Sequence, residues 1–282
     1  MSTDYTIIVS TCDAYEDVWY PFFKLFSKYW PDCRQRILLT TEEKEFSYGQ
    51  LKIDCAKVGK SLRGRSLPWG ECMIRSLSRV DSPTVLMILE DFFLCGNVDA
   101  GQIESLVDVM VRMKCTHIGL TQYAKTGPFH TTDDPMLWNV DRKADYRINL
   151  QAGLWDTTGL RGHLRSRESA WDMEIWGSIR AQKMDDLIMC VNKDWLSSGK
   201  IPPIVPYVSS GIRHGRWERH VVVDLFRSHG IDMDFSKRGF TDELPADTHL
   251  DAKRLTLSHI SKSIRCRCNC MMRPIVRYMH LR

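Results

Sequence analysis

The stretch from Pro83 to Val98, PTVLMILEDFFLCGNV, constrains the fold more than any other part of the chain. Val85 to Leu89 is a continuous apolar run between turn signals, the pattern of a strand buried on both faces of a mostly parallel sheet. It leads into two adjacent carboxylates, Glu90 and Asp91, and then returns to apolar Phe92, Phe93 and Leu94. Ionisable groups at the end of a buried strand carry a desolvation cost unless something there uses them: a cation, a metal-bound phosphate or a sugar hydroxyl. The plainer alternative is a pair that caps a helix or meets an arginine.

The flanking sequence supplies the rest of an open α/β sheet. Tyr5–Ser10 is a short β-branched strand, followed by a helix with Val18, Trp19, Phe22, Phe23 and Phe26 on its apolar face, and by a second strand over Arg36–Thr40. Such a βαβ opening places polar residues at the strand ends, where open sheets bind ligands. Neither G-x-G-x-x-G nor G-x-x-x-x-G-K-[ST] occurs, which argues against a dinucleotide Rossmann site and a P-loop. The spacing predicts further helices over Pro68–Val80, Ala100–Met113, Thr158–Leu164 and Glu218–His229, and another beginning near Ser169. Strands are predicted over His117–Thr121 and Arg147–Gln151. Thr126–Ala144 reads as a loop, and Ser209–Gly215 as a Gly-flanked loop carrying two arginines and a histidine.

The chain has 282 residues, 43% hydrophobic and 26% charged, as expected of a soluble globular protein. No stretch approaches the ~20 apolar residues of a membrane span, and Met1–Tyr5 does not read as the start of a secretion signal. Cys12, Cys72, Cys95, Cys115 and Cys190 lie in apolar surroundings, which suits reduced thiols in a cytoplasmic protein. The net charge of +4 is uneven. Residues 252–282 carry eight Lys and Arg and no Asp or Glu, leaving a net of −4 on the remainder.

Taken in order, the βαβ start, the buried strand ending in paired acids, the segment LQAGLWDTTGLR (150–161) and the acidic helix start WDMEIWGS (171–178) resemble the GT-A-fold glycosyltransferases. Among these, the resemblance is to the bacterial enzymes that build surface polysaccharides such as capsule or lipopolysaccharide O-antigen. It covers roughly residues 5–240 and implies a Rossmann-like, mostly parallel central sheet flanked by helices, with 241–282 as a separate basic segment. It also implies that Glu90 and Asp91 stand for the D-x-D motif that holds the donor's ribose and divalent metal. Phe92 or Phe93 replaces the usual second Asp, so dependence on Mg²⁺ or Mn²⁺ is open. Asp172 falls where the catalytic base is expected, with Glu168 and Glu174 as the other candidates. On a helix Asp172 and Glu174 point about 200° apart, whereas Glu168 and Asp172 share a face. The resemblance further sets Thr11, Asp13 and Tyr15 at the nucleotide, with Arg65 and Trp69 flanking it. Arg213, His214 and Arg216 occupy a late segment that closes over the diphosphate; Asp91 and His214 are the candidate metal ligands.

In the tail, Leu257, Ile260, Ile264, Met271, Met272, Ile275, Val276 and Met279 recur at helical spacing among arginines, as in a helix lying on an anionic membrane. A dimerisation helix, a nucleic-acid contact and a zinc site at Cys266, Cys268 and Cys270 compete with that reading. The acidic body argues against nucleic acid as the partner. The expectation is therefore an inverting, nucleotide-sugar-dependent transferase acting on a glycan or lipid-linked glycan at the inner face of the cytoplasmic membrane. The alternative is a non-catalytic nucleotide- or glycan-binding subunit of the same fold.

Overall fold

In the computed structural model, which describes residues 4–122, 127–208 and 210–243, the chain forms one nine-stranded sheet with helices on both faces. The elements in chain order are β1 (Tyr5–Ser10), α1 (Glu16–Tyr29), β2 (Ile37–Leu39), β3 (Ile53–Cys55), α2 (Trp69–Leu77), β4 (Thr84–Leu89), α3 (Ala100–Met113) and β5 (His117–Gly119). They continue with β6 (Phe129–Thr131), β7 (Leu137–Val140), β8 (Gly153–Asp156), α4 (Thr157–His163), α5 (Ala170–Asp172) and a π-helical turn over Met173–Gly177. The last are α6 (Ser178–Ala181), β9 (Ile188–Val191), α7 (Lys193–Ser197), a small hairpin of β10 (Ile212–Arg213) and β11 (Arg216–Trp217), and α8 (Arg219–Ser228).

The strand order is β3-β2-β1-β4-β8-β5-β9-β7-β6, with β8 and β7 running against the others. This is the Rossmann-like, mostly parallel class anticipated from the sequence. The central strands are buried on both sides because their alternate residues feed two separate cores. Tyr5, Ile7 and Val9 of β1 and Leu86 and Ile88 of β4 pack with α1 and α3. Ile8, Val85 and Met87 pack on the opposite face with Met73 and Leu77 of α2 and Leu160 of α4. Each such side chain contributes about 1.5–3 kcal/mol on burial, which fixes the register and with it the places where the strands end.

Several sequence expectations are corrected. The predicted strand over Arg147–Gln151 is irregular, and the strand proper begins at Gly153, where pairing with Met87 starts. The predicted loop over Thr126–Ala144 contains the β6–β7 hairpin, because β7 pairs with β9 and closes the sheet edge. Short β3 and β9 were not anticipated; both draw their strand character from a neighbour rather than from a long apolar run. Cys95 is exposed rather than buried. The basic segment, with Cys266, Cys268 and Cys270, lies outside the described residues. No helix among the described residues is long and apolar enough to cross a membrane.

Candidate active site at the C-terminal rim of the sheet

The candidate residues from the first half of the chain gather where β1, β2 and β4 end. Thr11 is held by exchange with Thr40: its N–H donates to Thr40 Oγ1 (2.7 Å), which donates back to Thr11 O (2.8 Å). Trp19 Nε1 donates to Thr11 Oγ1 at 2.9 Å. Asp13, expected at the nucleotide ribose, spends its carboxylate on the backbone N–H groups of Glu42 (2.9 Å), Glu43 (2.9 Å) and Lys44 (3.2 Å). Buried Glu42 returns the bond, its Oε2 accepting from Asp13 N at 2.5 Å. This lattice shapes the rim and leaves Tyr15, half-buried, as the adjoining aromatic surface. Trp69, on the first turn of α2, donates from Nε1 to Ser10 Oγ at 2.9 Å, so its ring also lies on the rim. Arg65 is exposed on the tight Ser61–Arg65 turn that precedes α2.

Glu90 and Asp91 follow directly from the last residue of β4, and Glu90 N donates to Ser10 O at 3.4 Å. Burial, reinforced by the neighbouring Asp91 charge, pushes the Glu90 carboxyl up to about 8; the Arg238 guanidinium and Thr11 oppose the shift. Burial also raises the Asp91 carboxyl, against hydrogen bonds from the Ser210 hydroxyl and Ile212 N–H. Those bonds tie Asp91 Oδ2 to the late hairpin, with Gly211 N donating to Asp91 O at 2.9 Å. Gly211 is required there: a Cβ would stand 2.3 Å from the Phe93 ring. The hairpin turns through His214 (φ +51°) and Gly215 (φ +75°), two successive left-handed residues that make a tight two-residue connection. Arg213 and His214 are exposed on it, and Arg216 is half-buried. Arg213 Nε lies 3.1 Å from Glu218 Oε1.

The three candidate bases lie between α4 and α6. Met87 pairs with Gly153, where the β4–β8 ladder ends, and the chain before it is irregular. Glu174, half-buried on the π-helical turn, accepts from Leu150 N through Oε1 at 2.8 Å. Gln151 accepts from Tyr207 OH at 2.6 Å, and the Tyr207 ring stacks on Phe92 at 4.6 Å, which closes the wall between this segment and the acidic pair. Asp172 is buried and forms a capping box, its Oδ2 accepting from Ser169 N (3.1 Å) and Ser169 Oγ (2.7 Å). Glu168 precedes that helix rather than sharing a face of it, and its two oxygens meet both terminal nitrogens of buried Arg180. Trp171 is 74% exposed, so it is not a core residue, while Trp176 is half-buried.

A divalent cation is poorly served here. Among the described residues no group of three or more His, Cys, Asp and Glu side chains comes together to hold a metal. One Asp91 oxygen is already committed to Ser210 and Ile212, and His214 stands at an exposed turn. Beyond Glu90 and Asp91 the described residues add no third side-chain ligand, so a cation held there would take its remaining ligands from substrate phosphates and water.

Sequence reasoning missed Arg238. Its Nε donates to Asp17 Oδ2 (2.7 Å), its Nη2 to Asp17 Oδ1 (2.5 Å) and Ala14 O (2.8 Å), and its Nη1 to Gly215 O (3.4 Å). The guanidinium lies 4.3 Å from the Tyr15 ring centroid. It sits in IDMDFSKRG, which carries no motif, and only the return of the chain after α8 brings it to the rim.

No family model matches the sequence, and no curated protein matches it. Among solved structures, the chain is similar to S. aureus TarS 1–349 in complex with UDP-GlcNAc, at 11% identity over 83% of this chain and 69% of that one, with a TM-score of 0.46. It is similar to the galactosyltransferase LgtC in complex with donor and acceptor sugar analogs, at 10% identity over 79% and 94% of the two chains, TM-score 0.44. It is also similar to the apo-form glycosyltransferase GlyE of Streptococcus pneumoniae, at 10% identity over 84% of this chain and 62% of that one, TM-score 0.42. Likenesses this loose carry nothing about chemistry, which has to be read from the rim itself.

Proposed function

We propose that this chain transfers a sugar from a nucleotide-sugar to a hydroxyl of a glycan or lipid-linked glycan, with inversion at the anomeric carbon, in the building of a surface polysaccharide. The observation that carries the reading is the convergence on one sheet rim of groups from four distant segments: Tyr15, Trp69, the Glu90–Asp91 pair and the Arg213–Arg216 hairpin. Aromatic faces suit a nucleoside base, guanidinium groups suit a diphosphate, and strand-end carboxyls suit sugar hydroxyls.

Inverting transfer needs a carboxylate to take the proton of the attacking hydroxyl while the anomeric bond to the diphosphate breaks. Of the three candidates, Glu174 suits this role best. Glu168 is neutralised by Arg180, and Asp172 is engaged in its helix cap. Glu174 is half-buried and is oriented by Leu150 N. The basic segment after residue 243 would hold the enzyme against an anionic membrane surface, near a lipid-linked acceptor.

A thermal-shift screen with UDP, GDP, CDP and dTDP tests the donor site. A nucleotide present at 100 times its dissociation constant stabilises by about 2.7 kcal/mol, so one of the four should raise the melting temperature selectively. Equal indifference to all four would overturn the reading. The second reading, a binding subunit without chemistry, is favoured by the engagement of Glu168 and Asp172 in structural contacts; it predicts the same shift and no turnover.

A further inference from the structure

Resting on the reading that the acceptor is a glycan, we infer that the groove between α1 and the end of α8 is a second, non-catalytic glycan site. It takes an acidic sugar unit of the acceptor chain, away from the reacting end. Its cavity of about 310 Å³ is lined by Lys24, Leu25, Ser27, Lys28, Tyr48 and His229. That lies at the lower end of the about 300–1,000 Å³ of small-ligand sites and suits one sugar ring with its substituents. No Asp or Glu is among the lining residues, although the body of the chain is net acidic.

The spacing along α1 puts the cations on one face. Tyr20, Lys24 and Lys28 are successive i, i+4 positions, a stripe about 12 Å long. It begins at Tyr20, near the end of α1 that adjoins the rim, and runs away from the rim. Tyr20 is 46% exposed, and its ring stands 6.0 Å from that of Tyr48 at a 60° tilt. The two rings make an open aromatic corner for the apolar face of a sugar. Tyr48 is held by a turn in which Leu51 N donates to Tyr48 O at 3.2 Å, with Gly49 at φ +53°. Lys24 Nζ donates to Gly230 O at 2.7 Å and lies 5.7 Å from the Tyr20 centroid. That bond uses one of three ammonium hydrogens, fixing the cation and leaving two for a ligand. Lys28 is exposed, 5.2 Å from the Tyr29 centroid, and among the described residues has no hydrogen-bond or ion-pair partner. His229 is a wall rather than a ligand, since Nδ1 meets Leu225 O at 2.7 Å and Nε2 meets the Tyr29 hydroxyl at 2.8 Å. A nucleic acid would need cations tracking many phosphates, and only two stand here.

The test is calorimetric titration of the full chain with a galacturonic acid hexamer, a phosphate-bearing mannose hexamer, neutral maltohexaose and a thymidine hexanucleotide. Titration with UDP, GDP, CDP and dTDP runs beside it. The site predicts that an acidic hexamer binds about tenfold or more tighter than maltohexaose and the hexanucleotide, and which one binds names the acid group. Lys28→Gln and Tyr20→Ala should each weaken that binding about fivefold or more and leave nucleoside diphosphate affinity unchanged. Lys28→Gln alters an exposed side chain, so it serves if Tyr20→Ala disturbs α1. Maltohexaose or the hexanucleotide binding as tightly overturns the acidic-glycan assignment. Failure of both acidic hexamers, or binding undiminished in both variants, overturns the site. In each of these cases a selective diphosphate leaves the donor reading standing. Variant-sensitive hexamer binding with indifference to all four diphosphates supports the groove as a glycan site and removes the transfer reading alone.

Discussion

At the scale of single residues, the site is defined by how each carboxyl is held. Glu90 is raised to about 8 by burial and by Asp91, so the folded protein binds a proton there that the unfolded chain has released. Stability should therefore fall as pH rises from about 4.5 to 8. Glu90→Gln should remove that slope, raising the unfolding free energy at pH 8.5 while changing little at pH 4; urea titrations at the two pH values measure it, and an unaltered slope would show that the carboxyl is not the group responsible. For catalysis, Glu174→Gln should lower kcat by about 100-fold or more with a native melting curve. Asp172→Asn should instead cost up to about 1 kcal/mol of stability, by weakening the capping box while leaving its N-cap, Ser169, in place. Turnover kinetics and melting curves on the two variants separate these roles. A large kcat loss in Asp172→Asn and none in Glu174→Gln would reverse the assignment.

At the scale of elements, two close approaches hold the rim in shape. Gly70 lets α2 lie on the loop before α5: its N–H donates to Glu168 O at 2.9 Å, and a Cβ would stand 2.0 Å from the Arg165 carbonyl oxygen. Gly211 does the same for the late hairpin against Phe93. Gly70→Ala meets backbone that cannot swing aside, so it should destabilise by about 1–3 kcal/mol, as overpacking does, and should displace Trp69 from Ser10. Guanidinium denaturation together with Trp fluorescence checks both effects, and a variant of native stability would contradict the packing described. The strongest elements were legible in the sequence for a physical reason. β1, β4 and α3 carry long apolar patterns whose period decides the conformation before any partner is present. β3, β7 and β9 are three or four residues long, and only pairing with a neighbour makes them strands. The same division holds for the site. Glu90 and Asp91 announce themselves by interrupting a buried run, whereas Arg238 and Ser210 act through contacts more than a hundred residues away in sequence, which no local pattern encodes. Asp172 and Glu168 were visible as acids at a helix start, but the capping box and the Arg180 pair that occupy them appear only in three dimensions.

At the scale of the whole molecule, the proposal assigns donor chemistry to the mildly acidic body and location to the basic segment. A chain ending at residue 243 should keep its nucleotide binding and lose sedimentation with vesicles containing phosphatidylglycerol, and the full chain should release from those vesicles as salt is raised. Retention of vesicle binding by the shortened chain would place the contact on the body. The central claim is transfer, and the most direct measurement is NMR observation of UDP-, GDP-, CDP- and dTDP-sugars incubated with the full chain and a glycan acceptor, beside the Glu174→Gln variant. The account predicts consumption of one donor, a new anomeric signal of inverted configuration, and no turnover by the variant. A nucleotide that binds while every donor stays intact would contradict it and leave a binding protein in its place.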